Sequence, residues 1–354
     1  MTRAYNTATT QQNSGGAVPP FTVGKNKIIN GDFRINQRAF SSTTTDSAFG
    51  FDRWFAPMSA GCTYSTQAFT PGTAPVAGYN GINFARLLTT GQSGASVYSI
   101  LTQKIEDIRT IADQTVTVSF WAKAASGTPK IAIEFFNYFG SGGSPSASTQ
   151  TYAGQVTLST SWARYTVTVT LPSLSGKTLG TDNNSSLNLQ LWVSAGTDFN
   201  SRTGSLGIQS NTFDIWGVQL EAGSIATPFQ TATGTIQGEL AACQRYYYRL
   251  TPTSVPGRLG VGSVTSSTTA EIMFPFPVTM RTTPTAIEQS GTASDYSIRC
   301  ITTNTVCSAV PALNNNERES SFVNFTVASG LTGGQVAIMR PVNTSAFLGW
   351  SAEL

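Results

Sequence analysis

Four stretches of the chain alternate apolar and polar residues with a period of two: "TVTVSFWAKA" (115–124), "KIAIEFFNYF" (130–139), "RYTVTVTLP" (164–172) and "LNLQLWVSAG" (187–196). A strand sends successive side chains to opposite faces, so this spacing marks half-buried β-strands rather than helices. Gly, Pro, Asn or Asp bounds each run, and strands recurring between such turn residues predict an all-β sandwich from residue 25 to 233. One stretch departs from the pattern. "KIEDIRTIAD" (104–113) spaces Ile105, Ile108 and Ile111 three apart, which predicts a strand end followed by a short helical turn over one end of the sandwich.

The pattern changes near residue 234. "TGTIQGELAACQR" places Ile236, Leu240 and Cys243 at i, i+4 and i+7, predicting a short helix over 234–245. "YYYRL" then opens a second β region, with "GRLGVGSV", "TAEIMFPFPV", "FVNFTVAS" and "GQVAIMR" as further short strands. The expectation is a larger β domain (25–233) and a smaller one (234–354) joined by that helix. Residues 1–24 are polar and end in "GGAVPPF", where Gly-Gly and Pro-Pro resist helix and sheet interior; they read as an extended arm that docks on a partner or as a free tail.

Composition narrows the function classes. The chain of 354 residues has no histidine, which removes Ser-His-Asp triads and His-ligated zinc sites. Charged residues make up 11% and the net charge is +3, with no basic stripe, so nucleic acid is not an expected partner. No apolar run approaches the ~20 residues of a membrane span, and "MTRAYNTATTQQNSGG" lacks the apolar core of a signal peptide. The cysteines, Cys62, Cys243, Cys300 and Cys307, are too scattered for a disulfide scaffold; Cys300 and Cys307 either close a loop or remain free thiols. The carboxylate pairs Glu106/Asp107 and Glu317/Glu319 carry no recognisable catalytic motif, and "GSGGSPS" (140–146) lacks the Lys and helix of a phosphate loop. The expectation is a protein that is not an enzyme.

Six segments occur in a fixed order: "NKIINGDFRINQR" (26–38), "FDRWFA" (51–56), "VSFWAKA" (118–124), "FDIWGVQLEAGSIATPF" (213–229), "CQRYYYR" (243–249) and "FPVTMRTTPTA" (276–286). In this set the chain resembles the tail-fibre and related virion-surface proteins of tailed bacteriophages. The resemblance implies a jelly-roll first domain like those of carbohydrate-binding modules, a homotrimer, and a place on the virion surface. It spans roughly residues 25 to 290. The chain lacks the coiled-coil or β-helical shaft of a long fibre, which points to a short, compact one.

Strand parity supplies candidate site residues. If Leu187, Leu189 and Leu191 face the core, Asn188, Gln190 and Trp192 face away; if Val116, Val118 and Phe120 face the core, Trp121 and Lys123 do not; if Ile131, Ile133 and Phe135 are core, Glu134, Phe136 and Tyr138 are not. An aromatic ring among amides and charges suits a sugar, covering its C–H face and meeting its hydroxyls. The same aromatics can instead pack under loops or against neighbouring subunits.

The segment "NKIINGDFRINQR" reads as a hairpin, with Lys27–Ile29 and Phe33–Ile35 as strands about an Asn30-Gly31 turn. Its expected role is to pin the first strand against the last. The resemblance implies that Asp32 and Asp214 can begin a structural calcium site; the alternative is an ion pair of Asp32 with Arg34, Arg38 or Arg53. The trimer implied by the resemblance makes Ile236, Leu240, Tyr246, Tyr247 and Tyr248 candidates for contacts about a three-fold axis, or else a helix packed only within its own subunit. The functional expectation is a receptor-binding adhesin, attached to the phage tail or an adaptor protein through residues 1–24 and contacting host-surface glycans. A capsid decoration or head-fibre protein is the alternative, and a glycan-degrading tail enzyme a second one.

Overall fold

The computed structural model describes residues 24–354, so the arm lies outside the described residues except for Gly24. The chain divides into two compact units, with the division at Glu239/Leu240, inside the helix rather than ahead of it. The protein is almost entirely β, as the alternating runs require.

The first unit contains β1 (Ser42–Thr43), β2 (Ala48–Phe49), β3 (Trp54–Ala56), β4 (Cys62–Ala68), β5 (Asn83–Thr89), β6 (Tyr98–Glu106), β7 (Thr115–Ala124), β8 (Lys130–Tyr138), β9 (Thr149–Thr157), β10 (Ala163–Thr170), β11 (Ser186–Ala195) and β12 (Asn211–Ala222). They form two antiparallel six-stranded sheets, in the orders β1-β4-β5-β12-β7-β10 and β2-β3-β6-β11-β8-β9, giving a jelly-roll-like sandwich. The four alternating runs are β7, β8, β10 and β11, and their parity holds: Val116, Val118, Phe120, Ile131, Ile133, Phe135, Leu187, Leu189 and Leu191 meet in one core with Trp54 and Phe213. The stretch 104–113 ends β6 and continues into a 3₁₀ turn at Ile108–Thr110, with Ile108 and Ile111 buried.

The "NGDF" segment is not a hairpin. Residues 25–36 form no regular strand. Asn30 has the positive φ (56°) expected of a turn asparagine, but the segment's partners are distant in sequence. The Lys27 N–H donates to the Leu220 carbonyl and the Val218 N–H to that of Gly31, along β12. Gln103 of β6 exchanges two hydrogen bonds with the Ile29 main chain. The segment therefore bridges both sheets, which is the pinning role expected of it. Gly31 lies in a turn closed by the Phe33 N–H on the Asn30 carbonyl, and it also serves close approach: a Cβ there would lie 2.1 Å from the Val218 carbonyl oxygen.

The second unit contains β13 (Tyr247–Leu250), β14 (Gly260–Val264), β15 (Thr269–Pro275), β16 (Ile287–Gln289), β17 (Tyr296–Cys300), β18 (Thr303–Val306), β19 (Ala312–Asn316), β20 (Ser320–Thr326), β21 (Val336–Pro341) and β22 (Leu348–Ser351). A three-stranded sheet, β13-β22-β16, accompanies a seven-stranded one, β18-β17-β21-β14-β15-β20-β19. Their core gathers Ile272, Phe274, Tyr296, Ile298, Phe325, Met339 and Trp350.

The helices are short: α1 (Asn200–Thr203), ended by Gly204 at φ 62°, and α2 (Ile236–Gln244). The oligomer contacts expected of the tyrosines need correcting. Tyr246 and Tyr247 are buried within the second unit, and the Tyr247 hydroxyl donates to Glu288 at 2.7 Å. Tyr248 stacks on Trp350. Ile236 is exposed and Leu240 half-buried. All four cysteines are buried and none is in a disulfide, so Cys300 and Cys307 form no bridge.

Candidate glycan-binding face

The candidates divide between two sheets. β8 and β11 are neighbours in the second sheet, with Glu134 opposite Gln190 and Phe136 opposite Asn188. β7 belongs to the first sheet, so Trp121 and Lys123 do not join that constellation. Trp121 lies opposite Trp216 of β12, 5.7 Å away between ring centroids, under Phe229 and the Arg164 guanidinium. It is part of the aromatic core and only 9% exposed. Lys123 lies over the Trp162 ring and 3.7 Å from Asp214.

On the second sheet the outward face has two ends. At one, Trp192 is 1% exposed, packed with Phe199 and the cluster of Ile100, Ala132 and Leu206. The segment 197–206, carrying α1, supplies that cover. Its Arg202 forms a paired contact with Glu134 (Nε–Oε1 2.8 Å, Nη2–Oε2 2.9 Å), donates to Gln190, and lies 4.8 Å over the Trp192 ring. The Trp192 indole N–H donates to Glu134 at 2.8 Å. Burial raises the Glu134 pKa, and the Arg202 guanidinium and the indole N–H oppose that rise. Trp192, Glu134 and Gln190 are thus linked through Arg202, and Trp192 is not an exposed platform. A reading of strand parity alone cannot find Arg202, because it lies in a four-residue helix.

The other end carries a depression, where the Lys104 ammonium donates to the Leu354 carbonyl and Arg202 lies 5.8 Å from the Phe136 ring centre. The register sets Lys104 of β6, Asn188 of β11, Phe136 of β8 and Gln150 of β9 in one row. Tyr138 stands one step along β8. Lys104, Phe136, Tyr138 and Asn188 line a depression of about 310 Å³, where Leu354, which groups with this unit, also stands. Lys104 lies 5.3 Å from the centre of the Phe55 ring. This end combines half-buried aromatics, an amide and an ammonium group. Lys104 escapes a reading that treats 104–113 as one three-spaced stretch, although it alternates with Thr102 along β6.

The carboxylates proposed for calcium do not share a site. Asp214 is held by Arg86 (2.6 and 2.9 Å) on β5 and by Lys123 on β7, and those cations oppose a metal ion. Asp32 accepts a 2.6 Å hydrogen bond from the Tyr79 hydroxyl in place of an arginine ion pair. Asp32 and Glu239 both line a polar cavity of about 330 Å³, and burial raises both pKa values. Glu239 accepts hydrogen bonds from the main chain of Asn30 and from Thr233. Among the described residues no group of three or more Cys, Asp or Glu side chains is placed to hold a metal ion.

Residues 80–196, from β5 to the end of β11, match the family model described as a carbohydrate binding domain. No curated protein matches the chain. Among solved structures, one described as "CBM4 structure and function" is 17% identical and covers 55% of this chain and 98% of its own, with a TM-score of 0.31. The CBM22-2 xylan-binding domain of Xyn10C from Paenibacillus barcinonensis is 16% identical, covering 48% of this chain and 92% of its own, TM-score 0.31. The enzymatically active domain of tailspike protein 4 from bacteriophage CBA120 is 12% identical, covering 56% of this chain and 22% of its own, TM-score 0.31. The match to the carbohydrate binding domain model covers about a third of the chain and lies within its first unit.

Proposed function

We propose that this protein is a non-enzymatic adhesin on the virion surface of a tailed bacteriophage, and that it binds host-surface glycan on the end of the second sheet that carries the depression. The observation that carries the glycan reading is the row Lys104–Asn188–Phe136, with Tyr138 beside it, on strands that fall within the matched segment. Phe136 and Tyr138 cover the C–H faces of a pyranose; Asn188 meets its hydroxyls, with Lys104, which also donates to the Leu354 carbonyl, at the edge. Placement on the tail, attachment through residues 1–24 and a trimeric state belong to this reading through the resemblance of the six ordered segments.

The test is a glycan array followed by calorimetry on the best ligand. Phe136→Ala and Asn188→Ala should each weaken binding by about tenfold or more, a loss of ~1.4 kcal/mol, and Asn188→Ala should also lower the melting temperature, because it strips the buried Ser186 hydroxyl of its acceptor. No retained glycan, or ligands that both variants bind as tightly as the unaltered protein, overturns the glycan reading. Trp192→Ala is the wrong probe, because it removes a buried side chain. Immunogold labelling of virions separates tail from capsid: label on capsid facets would replace the adhesin by a decoration protein. Release of sugar from a bound polysaccharide would replace it by an enzyme.

A further inference from the structure

Asn-Gly occurs twice in the chain, at Asn30-Gly31 and Asn80-Gly81. A glycine has no Cβ to hinder its main-chain nitrogen, which can therefore reach the side chain of the asparagine before it. Whether it does so depends on the freedom of that amide and on access for water. The two pairs are opposites in both respects. Asn30 is fully buried and its amide is held at both atoms: Nδ2 donates to the carbonyls of Ile35 (2.8 Å) and Asp52 (3.0 Å), and Oδ1 accepts from the Ile35 N–H (2.8 Å). Gly31 is pressed on the Val218 carbonyl with no room even for a Cβ. Asn80 is exposed, in the stretch between β4 and β5 that carries no strand. Neither its amide nor the Gly81 N–H has a hydrogen-bond partner among the described residues.

We propose that Asn80 is a site of spontaneous covalent modification, which the folded chain converts to aspartyl and isoaspartyl forms while Asn30 stays intact. The Gly81 nitrogen loses its proton to hydroxide and attacks Asn80 Cγ. A C–N bond forms, the Cγ–Nδ2 bond breaks, and the displaced nitrogen leaves as ammonia. Water then opens the five-membered imide. Addition at Cγ restores the main chain with an aspartyl side chain; addition at the main-chain carbonyl reroutes the chain through Cβ and Cγ. One water is consumed and one ammonia released, with no oxidant or reductant. The surroundings give the change a consequence. Asn80 lines the polar cavity of about 330 Å³ together with Asp32, Glu239 and Arg34, so a new carboxylate there joins two buried ones. Its neighbour Tyr79 is anchored twice: the hydroxyl donates to Asp32 at 2.6 Å, and the ring packs edge-on to Trp216 and Phe229. On the other side, a Cβ on Gly81 would stand 3.0 Å from the Trp216 indole nitrogen. An extra main-chain carbon between these two fitted residues cannot leave both in place, so the isoaspartyl form loosens the hold of Tyr79 on Asp32. The inference rests on neither the glycan reading nor the place on the virion.

Peptide mapping by mass spectrometry of the full chain, sampled over weeks at pH 8 and 37 °C, tests it. The peptide carrying Asn80 should gain one mass unit, from NH2 exchanged for OH, at least about tenfold faster than the peptide carrying Asn30, where reaction waits for local opening. In guanidinium chloride sufficient to unfold the chain, the two rates should come within about threefold of each other, because the fold no longer separates the sites. The aged chain should melt below the fresh one. Aged Asn80→Gln, whose longer side chain closes a ring far more slowly, should keep its melting temperature. No mass gain at Asn80 in the folded chain, while both peptides react when unfolded, overturns the inference, as does a gain at Asn30 that keeps pace with it. A gain at Asn80 with unchanged melting overturns the loosening of Tyr79, and so does an equal loss of melting temperature in aged Asn80→Gln.

Discussion

The two ends of the outer face of the second sheet are built from the same strands and obey the same alternation, yet one is interior and the other is surface. Trp192 and Phe136 stand on adjacent strands, β11 and β8, each in a setting of amides and charges. The end with Trp192 is roofed by segment 197–206 and by Arg202, which forms an ion pair with Glu134. At the end with Phe136 the same Arg202 reaches only to 5.8 Å from the ring centre, and a depression lined by Lys104, Tyr138, Asn188 and Leu354 remains. Parity assigns a side chain to a face. What lies over that face is decided by a loop from elsewhere in the chain.

That contrast can be broken experimentally. Trp192→Ala should show the largest effect, destabilising the first unit by roughly 3–5 kcal/mol, as for other buried tryptophans; chemical denaturation measures it. Arg202→Ala leaves the Glu134 carboxylate buried without its cation, and should cost roughly 3 kcal/mol. Arg202→Lys should recover only part of that loss, because an ammonium group cannot reproduce the paired geometry. Phe136→Ala should be nearly silent in the same denaturation experiment, below about 1 kcal/mol, if its end of the face is free for a ligand. A large loss of stability there would make Phe136 structural and remove the difference between the two ends.

A buried carboxylate held by a tyrosine hydroxyl sharpens the comparison. Asp32 is raised above its ordinary 3.8 chiefly by burial. Its native form holds a proton to higher pH than its unfolded form does. Between those two values the native state binds more protons, so stability falls as pH rises through that window and is level above it. Glu239 and Glu134 act in the same direction. Asp32→Asn should therefore flatten part of the decline in melting temperature from pH 4 upward, the smallest of these effects.

Much of the architecture was legible in the sequence because strand periodicity is local. β7, β8, β10 and β11 begin and end within about two residues of the alternating runs, and their inward residues were identified from spacing alone. Sheet membership is not local. Nothing within "TVTVSFWAKA" says that it pairs with β12, and this is why Trp121 and Lys123 were grouped with residues that lie on the other sheet. Aromatic character on a polar face suggests a platform at Trp121 and Trp192, whereas burial accounts for both rings. Asn30 and Gly31 do turn, with the Phe33 N–H on the Asn30 carbonyl, but no strands flank them as a hairpin requires. Their partners, Ile35, Asp52, Val218 and Glu239, lie up to 209 residues away. Tyr247 and Tyr248 illustrate the same limit in the second unit, where adjacent rings enter different surroundings.

The bridging role of residues 26–31 has a consequence for how the protein is made. The Asn30 main chain waits for Glu239, and Lys27 for Leu220. At ~5–20 residues per second, a ribosome needs roughly 10–40 s to supply the missing 209 residues. For most of that interval Phe33, Phe51 and Trp54 have been made while their final strand has not. The nascent chain is then open to chaperones and to wrong pairing, and closure of the sandwich becomes a late, single event at the end of the first unit's synthesis.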